Sequence, residues 1–189
     1  MKDRLLLHVC CALCLPGPLR ALTEEGFEVE GYFYNPNIHP LLEFRKRLKA
    51  VKTMNERLRV PFHYAATYGL NAFLLMLDGE YGPSRCPRCY AHRLRETARF
   101  ARLHGFRFFS STLLVSHEQQ HELVVTAGER AAAAEGVEFV ARDFRPFAEE
   151  GKQLARKASI YRQQYCGCVF SEYDRYASTG LELYKGGKR

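Results

Sequence analysis

Apolar and polar positions along this chain switch between two periods. Arg4 to Cys10 (RLLLHVC) is a short apolar run of the kind a buried strand shows. Pro16 to Glu25 reads as a helix, with proline at its start and Gly26 just past its end. Phe27 to Tyr34 (FEVEGYFY) alternates as a second strand and runs into an Asn35-Pro36-Asn37 turn. Leu41 to Leu58 carries Leu41, Phe44, Leu48, Val51 and Met54 at helical spacing, with basic residues between them. Arg59 to Tyr64 predicts a third strand, and Asn71 to Leu77 a short helix.

Pro87 to His104 predicts a helix stopped by Gly105, and Phe106 to Ser111 a fourth strand. Ser116-x-x-Gln119 has the form of a capping box, opening a helix to about Glu135 with Gly136 as its stop. Val137 to Ala141 predicts a fifth strand, Gln153 to Gln164 a helix, and the residues from Val169 a closing helix. Strands that alternate with helices imply an α/β fold, a parallel sheet with crossover helices. The expectation is one α/β domain over residues 1–180, with a helical C-terminal region and a flexible tail over 181–189.

Ligands of such a sheet lie beyond the carboxyl ends of its strands. Cys10, Cys11 and Cys14 follow the first strand, Asn35 the second, Ser110-Ser111-Thr112 the fourth and Asp143 the fifth. Cys86 lies just before a helix. One rim of the sheet can therefore gather them all.

The cysteines change the picture most. The 189 residues hold seven, in three tight groups: Cys10-Cys11 with Cys14, Cys86-Pro-Arg-Cys89, and Cys166-Gly-Cys168. Thiols zero, one or two residues apart converge on a metal or exchange electrons with each other, whereas a secreted framework pairs distant ones. The chain exceeds the size at which disulfides replace a core. The apolar run near Met1 is too short for a signal peptide, and no stretch reaches transmembrane length. A cytoplasmic protein without membrane contact is expected. The net charge of +7 favours a polyanionic partner.

At a helix start, Cys86 and Cys89 are expected to have lowered pKa values, and Arg85 and Arg88 add positive charge nearby. With Cys10 and Cys11 they make four thiolates, a set that suits a cubane iron–sulfur cluster and structural zinc alike. Cys14 is open between a fifth ligand, to a separate iron beside a cluster, and a plain helix residue. Cys166 and Cys168 form either a strained, easily reduced disulfide that relays electrons or two more ligands. His117-Glu118-Gln119-Gln120-His121 matches the zinc-peptidase string, but it opens at the capping box and leaves every cysteine unexplained. Asp143 is a candidate acid or ligand, or half of a surface pair with Arg145. Tyr161, Arg162 and Gln163 offer ring faces and donors beside the last thiol pair.

His8-Val9-Cys10-Cys11-Ala12, Tyr34-Asn35-Pro36-Asn37-Ile38, Cys86-x-x-Cys89 with Arg93-Leu94, Ser111-Thr112-Leu113-Leu114, Asp143-Phe144-Arg145 and Tyr161-Arg162-Gln163-x-Tyr165-Cys166-Gly167-Cys168 occur in this order. Together they resemble the QueH family of epoxyqueuosine reductases, over residues 5 to 171. Leu13 departs from that pattern, since a proline often follows its Cys-Cys-Ala. The resemblance implies a Rossmann-like domain of the adenine-nucleotide α-hydrolase type. It implies a cobalamin-independent enzyme that reduces epoxyqueuosine to queuosine at the wobble position of a tRNA with a GUN anticodon, the last step of queuosine biosynthesis. Cys10, Cys11, Cys86 and Cys89 would hold a [4Fe-4S] cluster, with Cys14 and a further iron ion as an addition. Cys166 and Cys168 would be the redox pair, fed by an unidentified electron donor. Asp143 would act with them, and Tyr34, Asn35, Asn37, Arg145, Tyr161, Arg162 and Gln163 would bind substrate. The rival from a different class is a zinc-stapled RNA-binding module without catalysis, in which Cys166-Gly-Cys168 is redundant.

Overall fold

The computed structural model describes residues 2–177, and the tail expected over 181–189 lies outside them. Five strands form one parallel sheet: β1 (Arg4–His8), β2 (Glu28–Phe33), β3 (Phe62–Tyr64), β4 (Phe108–Ser111) and β5 (Glu138–Phe139). Their spatial order is β3-β2-β1-β4-β5. Central β1 has both faces covered. Leu5, Leu6 and Leu7 are wholly buried, so the strand reads as an unbroken apolar run instead of alternating. Leu5 stands opposite Val29 on one side and Phe108 on the other.

The crossovers are α1 (Pro16–Glu24), α2 (Leu41–Leu58), the pair α3 (Leu70–Leu77) and α4 (Arg85–Leu103), and α5 (His121–Glu135). After β5 come α6 (Ala148–Lys157) and α7 (Val169–Tyr176). The chain winds outward from β1 to β2 and β3, then returns to the far side of β1 for β4 and β5. Winding reverses between β1 and β4, so the loops leaving these two strands diverge and open a crevice. No helix among the described residues is long and apolar enough to cross a membrane.

Several predicted boundaries move, each for a local reason. The strand expected from Arg59 begins only at Phe62. Arg59 is left-handed and ends α2, and the Asn55 side chain closes the turn on both backbone groups of Val60. The capping box at Ser116 does not form: the Ser116 hydroxyl accepts from Glu118 N within a turn, and α5 starts at His121. The helix expected over Gln153 to Gln164 lies earlier. Glu149 and Glu150 occupy its first turn, where acidic residues oppose the helix dipole favourably, and left-handed Ser159 follows its end. β5 keeps two residues of the five expected.

Candidate metal and redox site

A cavity of about 570 Å³ lies at the carboxyl ends of β1 and β4, and all seven cysteines line it. Three separate stretches of chain bring them there.

The first is the loop after β1. Cys10 N donates to Thr112 Oγ1 at 2.9 Å, which ties the loop to the exit of β4, and the Thr112 hydroxyl lies 3.2 Å from Cys10 Sγ. A Cβ at position 151 would fall on the Leu13 carbonyl, so α6 packs directly on this loop only because residue 151 is glycine. The sulfurs of Cys10, Cys11 and Cys14 all lie within 4.8 Å of one another, with Cys11 and Cys14 at 2.7 Å. Hydrogen bonds from Cys11 and Cys14 pull Cys10 well below the usual thiol range despite its burial, and Arg93 assists. Cys11 is pushed up to about 12, first by its bond to Cys10, and Cys14 is raised for the same reason. A bound cation would displace the protons that remain on these thiols. A buried set of soft thiol donors at this spacing fits iron or zinc. Among the described residues, it is the group of His, Cys and carboxylate ligands that closes this tightly.

The second stretch is the first turn of α4. Cys86 and Cys89 sit one turn apart there, but burial pushes Cys86 up and Cys89 up to about 12. This reverses the lowering expected from the helix start: desolvation outweighs the helix dipole. The Cys166 and Cys168 thiols, which line the same cavity, raise both further.

The third stretch, residues 160–168, has no helix or strand, and side chains hold it. Buried Arg47 donates to Glu43 at 2.6 Å, to the Cys166 carbonyl at 2.7 Å and to the Tyr165 carbonyl at 3.0 Å. The Tyr161 hydroxyl donates to Glu43 at 2.6 Å, and the Tyr165 hydroxyl to the His39 carbonyl at 2.5 Å. Gly167 has φ of 153° and its carbonyl accepts from His39 N at 2.8 Å. A Cβ at Gly167 would come within 2.9 Å of Asn37 Nδ2, so the tight Cys-Gly-Cys turn needs glycine. Cys168 is buried against Phe73 and Leu77. Cys166 as a residue is exposed, yet the crowding around its sulfur desolvates the thiol and pushes its pKa up. All seven cysteines are free thiols in this structure.

The other predicted site residues divide. Asn37 and Gln163 line the cavity, and Asn37 Oδ1 is buried without a partner. Tyr34, Asn35, Asp143, Arg145, Tyr161 and Arg162 are not in its wall. Asn35 is spent on the scaffold: its amide donates to the Val9 carbonyl at 2.9 Å and accepts from Arg93. The Tyr34 hydroxyl pairs with His92 Nε2 at 2.8 Å. Asp143 forms a two-pronged pair with Arg145, at 2.8 and 2.7 Å, which holds its carboxyl well below the usual carboxylate range. His117 precedes α5 and His121 is its first residue, so the peptidase string does not present both rings from one helix.

His8, which interrupts the first apolar run, is also structural. Burial lowers its pKa to about 3. Its Nε2 faces the Tyr34 carbonyl, which can only accept, so Nε2 carries the proton and Nδ1 accepts from the Ser111 hydroxyl. Thr112 lies on the rim as expected, whereas Arg47, Arg93 and Gln119 are residues to which the sequence reading gave no role at the site. Arg93 and Arg47 carry a usable signal, since each falls on the buried stripe of its helix.

Comparison with known proteins gives the family. The family model described as epoxyqueuosine reductase QueH matches residues 5–174. An epoxyqueuosine reductase QueH from Dehalococcoides mccartyi is 39% identical over 181 residues, covering 93% of this chain and 96% of that one. Its counterpart from Thermotoga maritima is 35% identical over 178 residues, covering 90% and 91%. Among solved structures, a predicted subunit of tRNA methyltransferase from Methanocaldococcus jannaschii superposes with a TM-score of 0.54 at 7% identity, covering 85% of this chain and 92% of that one. At such identity the likeness is one of fold, an α/β domain built on a parallel sheet. Matched in sequence over nearly its whole length, the chain belongs to the QueH family of epoxyqueuosine reductases.

Proposed function

We propose that this protein is a cytoplasmic iron–sulfur oxidoreductase that converts epoxyqueuosine to queuosine at the wobble position of a GUN-anticodon tRNA. This is the last step of queuosine biosynthesis, here without cobalamin. The observation that carries the reading is the convergence of all seven thiols on one cavity, two of them on a separately anchored segment.

Cys10, Cys11, Cys86 and Cys89 would hold a [4Fe-4S] cluster. The group that Cys14 forms with Cys10 and Cys11, all within 4.8 Å of one another, supports a further iron ion beside it. When bound, the iron supplies single electrons and a Lewis acid. The remaining chemistry belongs to the chain. Removing the epoxide oxygen to leave an alkene takes two electrons and two protons and releases water. Two thiols that become one disulfide release that number of each. Cys166 and Cys168 meet the need, and the raised pKa of Cys166 keeps a proton on sulfur near neutral pH. An external donor must then reduce the disulfide. Asp143, ionised by its pairing with Arg145, has no proton to give at neutral pH.

Asn37 and Gln163 offer polar groups to the substrate in the cavity wall. The volume suits a modified base, and a base in an anticodon loop can enter without melting a helix. The net charge of +7 suits the phosphate backbone. The zinc-stapled module is disfavoured because it gives the Cys166-Gly-Cys168 turn no task.

The test is anaerobic purification with quantitation of iron, sulfide and zinc, followed by incubation with epoxyqueuosine tRNA and a reductant. A brown iron–sulfur protein that forms queuosine is expected. A colourless zinc protein without turnover would overturn the reading.

A further inference from the structure

Arg47 and Arg85 line the cavity, and each has a carboxylate partner, Glu43 and Asp174 respectively. Arg93 lines the same cavity without one. It is 2% exposed in α4, and among the described residues no carboxylate pairs with it. Its Nη2 donates to the neutral Asn35 Oδ1 at 2.5 Å, and its Nε is buried with no acceptor. Asn35 also donates to the Val9 carbonyl, so the guanidinium is fixed relative to the exit of β1. A buried guanidinium without a counter-charge is costly, and a well-packed apolar residue would normally replace it.

The groups around it are thiols. Cys89, Cys10 and Cys166, one from each of the three stretches, line the cavity with it. We infer that Arg93 is the fixed counter-cation of the metal centre held by the cavity thiols, and that it raises the midpoint potential of that centre. The inference rests on the metal-centre reading above. A thiolate-bound centre is negatively charged, and reduction adds one more negative charge. A fixed positive charge nearby stabilises the reduced form more than the oxidised one. Arg93 thus acts on the centre's electronics.

The experiment is an anaerobic redox titration of the iron-loaded protein without tRNA, followed spectroscopically, on wild type, Arg93→Gln, Arg93→Lys and Asn35→Asp. Arg93→Gln should lower the midpoint potential, and Arg93→Lys should restore most of the loss. Asn35→Asp keeps an acceptor for Arg93 but adds a neutralising charge, so it should also lower the potential. It decides the matter if Arg93→Gln does not fold. A wild-type centre whose potential is indifferent to Arg93→Gln, or to Asn35→Asp in its place, overturns the role. So does an unmoved potential with a raised KM for tRNA, which would make Arg93 a substrate contact. Wild-type protein without redox-active iron instead sinks the metal reading itself.

Discussion

The thiols after β1 and the thiols before α7 share a cavity but are anchored in opposite ways. Cys10, Cys11 and Cys14 hang from the sheet: their loop is tied to β4 through Thr112 and wedged by α6 at Gly151. Cys166 and Cys168 lie on a stretch without regular structure, attached to α2 by Arg47, Glu43 and Tyr161. A metal demands sulfurs at fixed separations, which a sheet edge provides. Dithiol exchange demands sulfurs that can pair, part and face a partner, which a side-chain latch permits. Under the proposed function, anchoring separates the two tasks more clearly than cysteine spacing does.

The comparison predicts graded effects. Changing Cys10 or Cys89 to Ser should cost the iron, the fold energy that comes with it and all turnover, since metal binding here is folding energy. Iron analysis and thermal melting would check this, and full iron in either variant would remove that residue from the ligand set. Cys166→Ala or Cys168→Ala should keep iron at wild-type level and lower turnover by roughly three orders of magnitude, as loss of a covalent participant does. If iron falls together with activity, the two regions do the same job.

Arg47→Met attacks the latch and no sulfur. It strands Glu43 in the interior, at a cost of about 3–5 kcal/mol, and displacing the Cys-Gly-Cys turn should lower turnover by about 10²-fold. Iron content should stay unchanged in protein that folds; loss of iron would tie the latch to the metal. Tyr161→Phe removes one hydrogen bond to Glu43, worth about 1 kcal/mol, and should lower turnover less than tenfold with iron intact. An unaltered melting temperature would show that this bond does not hold the segment.

Much of this was legible in the chain. The unbroken run Leu5-Leu6-Leu7 identified a doubly covered strand because burial on both faces erases alternation. The paired cysteines identified the rim because spacing this tight has few other uses. The segment after α6 misled, since Ile160, Tyr161 and Tyr165 fall at near-helical spacing, yet Tyr161 is held by Glu43 of α2 and Tyr165 by the His39 carbonyl. The capping box misled because the string Ser-x-x-Gln fits a turn equally well, and here Ser116 closes a turn. The buried arginines were missed because charged residues on helices usually face water. Arg93 stands on one stripe with Tyr90, Leu94, Thr97, Ala98 and Ala101, and a cation on an apolar stripe signals a buried anion or a site.

The division of labour between the two thiol groups is tested most directly by one turnover without external reductant. Reduced, iron-loaded protein would be mixed anaerobically with epoxyqueuosine tRNA, quenched in acid and alkylated, and its cysteines read by mass spectrometry. The account predicts one Cys166–Cys168 disulfide for each queuosine formed, with the other five thiols alkylated once the iron is stripped. Queuosine formed while Cys166 and Cys168 both remain alkylatable thiols would contradict it.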